Sequence, residues 1–324
     1  MDMNDFHATT EDIYYAYRLL LGREPDAAGS EHYQRMLAEK SLTPDKLAEF
    51  FLGSSEFAAR HNLQDEAAEV DFDGYSLYVR RDDHDIGMSV MQGVYEPHVT
   101  AVVKEVLRPG DTFVDVGANI GYFAALGAHL VGPTGHVVAI EPMDKNVQLI
   151  SATVWRNRFA NVEVLPYAAS ASARIVPMVT GPRTSNGEVV RADPNGRVPA
   201  LFAQARRLDD MLRDLDRLDL IKFDIEGHEL LAWRGFAEGI VRHRPLVLTE
   251  FHPKCMRENA GVEPTEYLDV LFGYAESVHV LRGPADRVPC RNVTEVMAEW
   301  EAADRRLRSG GTTHLDLFVR PKGR

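Results

Sequence analysis

The spacing of hydrophobic positions changes along the chain, from a helical spacing near the beginning to short apolar runs beyond residue 110. In the first sixty residues apolar side chains recur every three or four positions, as in IYYAYRLLLG at 13–22, and this predicts three or four short packed helices. Thr43-Pro44-Asp45 is typical of a helix start. We therefore expect an all-α unit at 1–62 and, because 63–74 is acidic and poorly periodic, a linker there.

After a predicted strand at 75–81 and a predicted helical segment at 86–108, short apolar runs alternate with amphipathic segments from residue 111 onward. The runs TFVDVG, HVVAIEP, VEVLPYA, LDLIKFDIEG and PLVLTEFHP predict strands, and the segments after them predict helices. Strands that alternate with helices indicate a mostly parallel sheet with helices on both faces. The sequence thus predicts an α/β domain at 75–324. Within it, the stretch 171–205 is rich in Gly, Pro, Ser and Arg, and we expect a loop or an irregular hairpin.

Composition and charge narrow the function classes. The 324 residues include 36 Lys and Arg against 49 Asp and Glu, a net charge of −13, which disfavours a nucleic-acid partner. Two cysteines, Cys255 and Cys290, are too few for a disulfide framework and favour a reducing compartment. The sequence carries neither a signal-peptide pattern nor an apolar run of the roughly 20 residues that span a bilayer. We expect a cytoplasmic protein without a membrane span.

The strongest chemical motif is TFVDVGANIGYFA at 112–124. Asp115 lies near the end of a predicted strand, and Gly117 and Gly121 bracket a turn that contains Ala118 and Asn119. Glycine allows a ligand to approach the backbone, and the helix that follows offers unpaired N–H groups to an anion. A second acid, Glu141, ends the next predicted strand, where a carboxylate can accept hydrogen bonds from both hydroxyls of a ribose.

Two cofactors use such a turn. A dinucleotide site needs Gly-x-Gly-x-x-Gly, and in that frame this chain has Asn119 and Tyr122 in place of two glycines. The acid Asp115 on the strand before the turn favours S-adenosylmethionine instead. Ala168, at the end of the third predicted strand, is then expected to border the adenine.

A second constellation is expected on the methyl-acceptor side. Asp224 and Glu226 share one face of a predicted strand, and His228 opens the next helix; each is a candidate for removing a proton from an acceptor hydroxyl. Asp224, Glu250 and His252 are also a candidate set for a divalent cation such as Mg²⁺, because carboxylates and imidazole are suitable ligands. The sequence leaves the metal requirement open.

Several stretches carry a resemblance to a known family. The segments GVYEPHV, DTFVDVGANIGYFA, AIEPMDKN, LDLIKFDIEGHE and PLVLTEFHP resemble the FkbM-type family of S-adenosylmethionine-dependent methyltransferases. The resemblance covers roughly 75–321 and implies a Rossmann-like class I methyltransferase fold and O-methylation. It also implies that Tyr95 and Glu96 line the methionine end of the cofactor pocket or the acceptor entrance. The first sixty residues are similar to a small bacterial helical domain of unknown function.

These observations favour an O-methyltransferase whose acceptor is a small molecule or a saccharide, glycolipid or glycosylated natural product. Two alternatives stay open: a non-catalytic adaptor with a degenerate methyltransferase fold, and an NAD-linked oxidoreductase. For the helical unit we expect a scaffold, a surface for homo-oligomerisation or a docking module for the acceptor.

Overall fold

The computed structural model describes residues 7–39, 41–57, 67–93, 95–181, 184–190 and 201–323. Its first three helices are α1 (Thr10–Leu21), α2 (Ala27–Ala38) and α3 (Pro44–Leu52). The residue before each helix, namely Thr9, Asp26 and Thr43, uses its side chain to accept a backbone N–H of the first turn. The predicted N-terminal helices are therefore present.

A small aromatic core holds this helical unit together. The rings of Tyr17 and Phe51 meet edge to face with centroids 4.8 Å apart, and both side chains are buried. Arg23, in the Gly-Arg-Glu-Pro-Asp turn, donates to Glu56 at 2.7 Å and to Asp26 at 2.9 Å. The pair with Glu56 connects the turn after α1 to the segment after α3, and the pair with Asp26 closes the turn itself.

The linker prediction is wrong for residues 67–72. This segment forms β1 (Ala67–Phe72), which pairs antiparallel with β2 (Tyr75–Arg80). Its acidic positions alternate with Ala68 and Val70, so the strand has one apolar face and an opposite polar face. The hairpin packs on the α/β domain, where the backbone of Tyr78 donates to Thr153. Residues 63–66 lie outside the described residues.

Two helices lead into the main sheet: α4 (Ile86–Met91) and α5 (Pro97–Val106). The remaining elements follow in chain order: β3 (Thr112–Val116), α6 (Tyr122–Val131), β4 (His136–Ile140), α7 (Asp144–Asn157), β5 (Val162–Leu165), β6 (Ala168–Ala169), β7 (Arg174–Thr180), β8 (Gly187–Val189), β9 (Leu201–Arg206), α8 (Leu208–Met211), β10 (Leu220–Phe223), α9 (Glu229–Arg234), α10 (Ala237–His243), β11 (Leu246–Phe251), α11 (Pro253–Cys255), α12 (Pro264–Tyr274), β12 (Ala275–Gly283), β13 (Asp286–Cys290), α13 (Val293–Leu307) and β14 (Leu315–Pro321).

Within the described residues the main sheet has the strand order β13-β12-β14-β11-β10-β3-β4-β5. The strands from β11 to β5 are parallel, whereas β14 lies antiparallel between β11 and β12. Apolar side chains fill both faces of this sheet, in two separate buried clusters. The chain runs outward from β3 through β4 to β5 and then returns to β10 on the other side. This reversal makes the carboxyl ends of β3 and β10 the point where such folds bind ligands.

The stretch expected to be a loop or hairpin contains strands. In a second sheet, ordered β6-β9-β7-β8 among the described residues, β7 pairs antiparallel with β8 and with β9. The buried face of this second sheet carries Val176, Met178 and Ala203, which form a small hydrophobic core of their own. Residues 182–183 and 191–200, within the same expectation, lie outside the described residues.

No helix in the described part of the chain is both long enough and apolar enough to cross a membrane.

Candidate active site

The turn after β3 needs glycine at two positions. Gly117 has φ +83°, and a Cβ there would lie 1.9 Å from the carbonyl oxygen of Asp224. Gly121 has φ +88° and immediately precedes α6; its Cβ would lie 2.9 Å from Ile150. Both conformations are unfavourable for residues with a side chain. The turn therefore passes close to β10 and to α7 and leaves the N-terminus of α6 open.

The backbone of this turn also positions the predicted ribose acid. One carboxyl oxygen of Glu141 accepts the N–H of Asn119 at 2.9 Å, and the other accepts the N–H of Met143 at 2.9 Å. Asn146 on α7 donates to the same side chain at 3.3 Å. Burial raises the pKa of Glu141 to about 7, although these donors oppose the shift. The carboxylate is therefore fixed in one orientation beside the turn.

A cavity of about 390 Å³ connects this turn with the end of β10. The predicted site residues that line it are Tyr95, Glu96, Gly117, Ala118, Asn119, Glu141, Ala168, Asp224, Glu226, His228, Glu250 and His252. Its volume lies in the range of small-molecule sites. Asp115 and Gly121 are not in the lining, because Asp115 lies beneath the cavity floor and Gly121 faces α7.

The cavity has a cofactor half, around Gly117 and Glu141, and an acceptor half, around Asp224 and Glu250. A buried lysine links the two halves. Lys222 donates to Asp224 at 2.6 Å, two positions along the chain, and lies opposite Asp115 in the register of β10 and β3. Burial alone would lower the pKa of Lys222, but Asp224, Asp115 and Glu96 together raise it. Both carboxyl oxygens of Asp115 are buried without a hydrogen-bond partner among the described residues. Burial raises the pKa of this acid to about 6, against the effect of Lys222.

The prediction that Asp224 and Glu226 share a strand face is wrong. β10 ends at Phe223, and Glu226 and Gly227 have φ values of +53° and +97°. A Cβ on Gly227 would lie 2.4 Å from the backbone of Cys255, so the chain turns sharply there. Asp224 and Glu226 nevertheless both line the cavity, because this turn brings them to it.

Glu229 shapes this turn from inside. Its carboxylate accepts the backbone N–H of Ile225 at 3.0 Å and of Gly227 at 3.2 Å. The acid that follows His228 in the Asp-Ile-Glu-Gly-His-Glu motif is therefore a structural residue in this fold. Glu229 fixes the turn that places Asp224 and Glu226 after the carboxyl end of β10, and it does not itself line the cavity.

The pKa values of other titratable groups in the cavity are strongly shifted. Burial, and next the charge of Asp224, raise the pKa of both Glu96 and Glu226 to about 8. Burial lowers the pKa of His228 to about 4, so its imidazole is neutral at pH 7, and its Nδ1 has no hydrogen-bond partner among the described residues. Perturbed groups gathered in one cavity are a common feature of functional sites.

The structure does not assemble the predicted metal ligands. In the described residues no group of three or more His, Cys, Asp and Glu side chains is arranged to hold a metal ion. Asp224 is paired with Lys222, and the Nδ1 of His252 faces the backbone N–H of Cys255 at 3.4 Å. Glu250 is instead 3.4 Å from His314. The three candidates therefore share a cavity without forming a coordination sphere.

Some cavity residues were absent from the sequence prediction. Asn146 and Asn186 form a polar wall near the turn, where Asn186 accepts from Asn119 at 2.9 Å. Asn146 lies in the first turn of α7, five residues after Glu141, and this short spacing indicates that it can reach the cavity. His314 comes from the segment before β14, and no local pattern indicates that it reaches this cavity.

The strand order, with an antiparallel β14 inserted beside β11, and the Gly-rich turn at the switch point define a class I S-adenosylmethionine methyltransferase fold. Residues 115–274 match the methyltransferase FkbM domain, and residues 7–61 match a domain of unknown function, DUF4214. The methyltransferase domain of this chain therefore belongs to the FkbM family, and a DUF4214 domain precedes it.

Relatives are similar over part of their length. A protein-L-isoaspartate O-methyltransferase of Methanothrix thermoacetophila is 36% identical over 76 residues, which are 23% of this chain and 36% of that protein. The methyltransferase sdnD of Sordaria araneosa is 28% identical over 162 residues, covering 40% of this chain and 62% of that protein. The chain thus spans about a third of the length of the isoaspartate relatives.

Among solved structures, the methyltransferase FkbM of Methylobacillus flagellatus KT aligns with 82% of this chain and 70% of its own, at 18% identity and a TM-score of 0.38.

Proposed function

We propose that this protein transfers a methyl group from S-adenosylmethionine to a hydroxyl of a saccharide, glycolipid or glycosylated natural product. The observation that carries the proposal is the single cavity that joins the Gly117–Gly121 turn and Glu141 to Asp224 at the end of β10. The Gly117–Gly121 turn and Glu141 suit a nucleoside with a carboxylate-bearing tail. Asp224 suits an acceptor that must lose a proton.

The residues present fit the cofactor. Glu141 keeps lone pairs for the two ribose hydroxyls, and its orientation is fixed by Asn119 and Met143. Near the methionine end, one carboxyl oxygen of Glu96 is buried without a hydrogen-bond partner among the described residues, which suits an ammonium group. When bound, S-adenosylmethionine supplies an electrophilic methyl group on a sulfonium. The chain's own task is to hold both partners and exclude water.

Asp224 is our candidate for the group that accepts the hydroxyl proton. One of its oxygens is held by Lys222 at 2.6 Å, which leaves the other free to face the cavity. His228 and Glu226 line the same half and are the second candidates. Because a neutral alcohol is a weak nucleophile, removing its proton as the oxygen attacks the methyl group accelerates the transfer.

The experiment begins with calorimetric titration of the full chain with S-adenosylmethionine, S-adenosylhomocysteine and NAD. We expect micromolar binding of the first two and no binding of NAD. Glu141→Gln should weaken S-adenosylhomocysteine binding by at least about tenfold, since it removes a charged acceptor. Glu276→Gln, an exposed acid on β12, is the matched control.

Methyl transfer is then assayed with a radiolabelled methyl group on a panel of glycosides and glycolipids. Binding of NAD alone would replace the proposal with an oxidoreductase. Binding of none of the three ligands would favour the adaptor hypothesis, and the partners of the helical unit would then be the question.

A further inference from the structure

The acceptor half of the cavity holds a carboxylate that neither the cofactor nor the proton transfer uses. Glu250, near the end of β11, lines the cavity and is only 8% exposed. One of its oxygens is 3.4 Å from His314, and the other is buried without a hydrogen-bond partner among the described residues. A buried carboxylate oxygen with no donor is unfavourable unless a ligand supplies one.

The surroundings of Glu250 are acidic. Asp316 lies opposite it in the register of β11 and β14, and Asp224 and Glu226 share the cavity. Each of these carboxylates repels the charge of Glu250 and, together with burial, raises its pKa.

The cations of the described residues do not balance this charge. Lys222 is paired with Asp224 at 2.6 Å, and His98 with Asp316 at 2.6 Å. His252 lines the cavity, but burial lowers its pKa and favours the neutral ring. His314 approaches one oxygen of Glu250 only, and neither the other oxygen of Glu250 nor the Glu226 carboxyl forms an ion pair among the described residues.

In the proposed function the ammonium group of the cofactor faces Glu96 and its methyl-bearing sulfonium faces the acceptor hydroxyl near Asp224, so neither charge is assigned to Glu250. The cofactor turn follows β3, whereas Glu250 belongs to β11, with β10 between them. Neighbouring strands are about 4.8 Å apart, so Glu250 lies roughly 10 Å from the cofactor strand. A metal ion is not favoured either, because the described residues of this region do not form a metal-binding group.

We infer that the acceptor is itself a cation: a hydroxyl-bearing compound with a protonated amine, of which an amino sugar is the class that fits. Its ammonium group donates to Glu250 and faces Glu226, while its hydroxyl faces Asp224. An ammonium has three donors and no acceptor, which matches a wall made of carboxylate oxygens. The inference rests on the proposed function, since it names the acceptor of the same site.

The test uses sets of sugars that share one ring and differ only in the group at one amine position. Methyl glycosides of amino sugars with the amine at different ring positions are each compared with their N-acetyl form and with the corresponding hydroxyl sugar. Binding to the full chain is measured by calorimetry at neutral pH, with and without saturating S-adenosylhomocysteine. We expect at least one amine to bind ten times more tightly than both of its uncharged counterparts.

A variant pair locates the preference. Glu250→Gln keeps the shape of the side chain and should reduce the amine preference to twofold or less, whereas Glu258→Gln, an exposed acid outside the cavity lining, should leave it unchanged. The inference is overturned if every charged sugar is within twofold of its uncharged counterparts, including the case in which none binds. It is also overturned if Glu250→Gln keeps the full preference.

Failure of the inference is distinguishable from failure of the proposed function. S-adenosylhomocysteine is titrated alone first, and its binding does not depend on the sugar panel. If it binds and the amines show no preference, the acceptor class is wrong and the methyltransferase proposal stands. If it does not bind, the proposed function fails whatever the sugars do.

Discussion

Lys222 and Asp224 form an ion pair of 2.6 Å at the carboxyl end of β10, beside β3. Lys222 is 4% exposed and lies opposite Asp115 of β3, so one ammonium group neutralises an acid from each half of the cavity. The ring of Phe123 is 4.9 Å from its nitrogen and shields it further from water. This lysine therefore couples the placement of Asp224 to the integrity of the cofactor half.

We predict that Lys222→Met destabilises the protein. The change leaves Asp115, Asp224 and Glu96 close together without a cation, and removing one partner of a buried pair costs roughly 3–5 kcal/mol. Urea unfolding monitored by circular dichroism measures the loss. The double variant Lys222→Met/Asp224→Asn should recover part of it, because one of the unpaired acids is gone. Lys104→Met, an exposed lysine on α5, is the control; a Lys222→Met protein as stable as this control would contradict the coupling.

We predict that Asp224→Asn lowers the rate of methyl transfer by about 10²–10⁴ with the acceptor found in the sugar panel, since general-base groups contribute about that much. Affinity for S-adenosylhomocysteine, measured by calorimetry, should stay within a few-fold of the wild-type value. Asp214→Asn, at an exposed position before β10, controls for the substitution itself. If cofactor affinity and turnover fall together, Asp224 belongs to the cofactor half and another residue accepts the proton.

The sequence could predict the cofactor half because its residues are contiguous in motifs. The Gly117–Gly121 turn and Glu141 each end a strand, and strand ends of a parallel sheet meet at one edge. The role of Lys222 toward Asp115 depends instead on the register between β10 and β3, which no local pattern encodes. His314 reaches Glu250 only because β14 inserts beside β11.

Two local expectations failed for physical reasons. Alternation along an extended strand placed Asp224 and Glu226 on one face, but the left-handed backbone at Glu226 and Gly227 ends that geometry. The acidic stretch before β2 was expected to be a linker because charge obscured its period of two. Pairing with β2, and the ion pair of Glu69 with Arg156 of α7, stabilise β1 despite that charge.

We predict that Gly117→Ala abolishes cofactor binding. A Cβ at this position would lie 1.9 Å from the carbonyl oxygen of Asp224, and the residue must also keep φ near +83°. Backbone atoms cannot give way as a flexible side chain can, so the turn must move. Calorimetry should find S-adenosylhomocysteine binding weakened by more than about tenfold. Gly310→Ala is the matched control, because φ there is +63° with nothing within 4 Å, so it has the strain of about 1–2 kcal/mol without the clash. Equal cofactor affinity in the two variants would contradict the close approach.

Cofactor affinity should depend on pH through Glu141. Its pKa is raised to about 7 by burial, so the free protein holds a large fraction of this acid protonated below that pH. Ribose hydroxyls donate to the ionised carboxylate, so binding favours the charged form and lowers its pKa. Affinity for S-adenosylhomocysteine is therefore highest above pH 7 and should fall, by up to about tenfold per unit, as the pH decreases below it.

Calorimetry between about pH 6.5 and 8.5 follows the ionisation of Glu141 and of Glu96, whose pKa is about 8. Asp115, with a pKa of about 6, adds its own decrease mainly below that range. Glu141→Gln should bind weakly and with a shallower profile than the wild-type protein, since glutamine does not titrate and the slope that remains comes from Glu96. Glu276→Gln should keep both the affinity and the slope of the wild-type protein. A wild-type profile that is flat across this range, or a slope in Glu141→Gln as steep as that of the wild-type protein, would mean that the ribose hydroxyls do not bind this carboxylate.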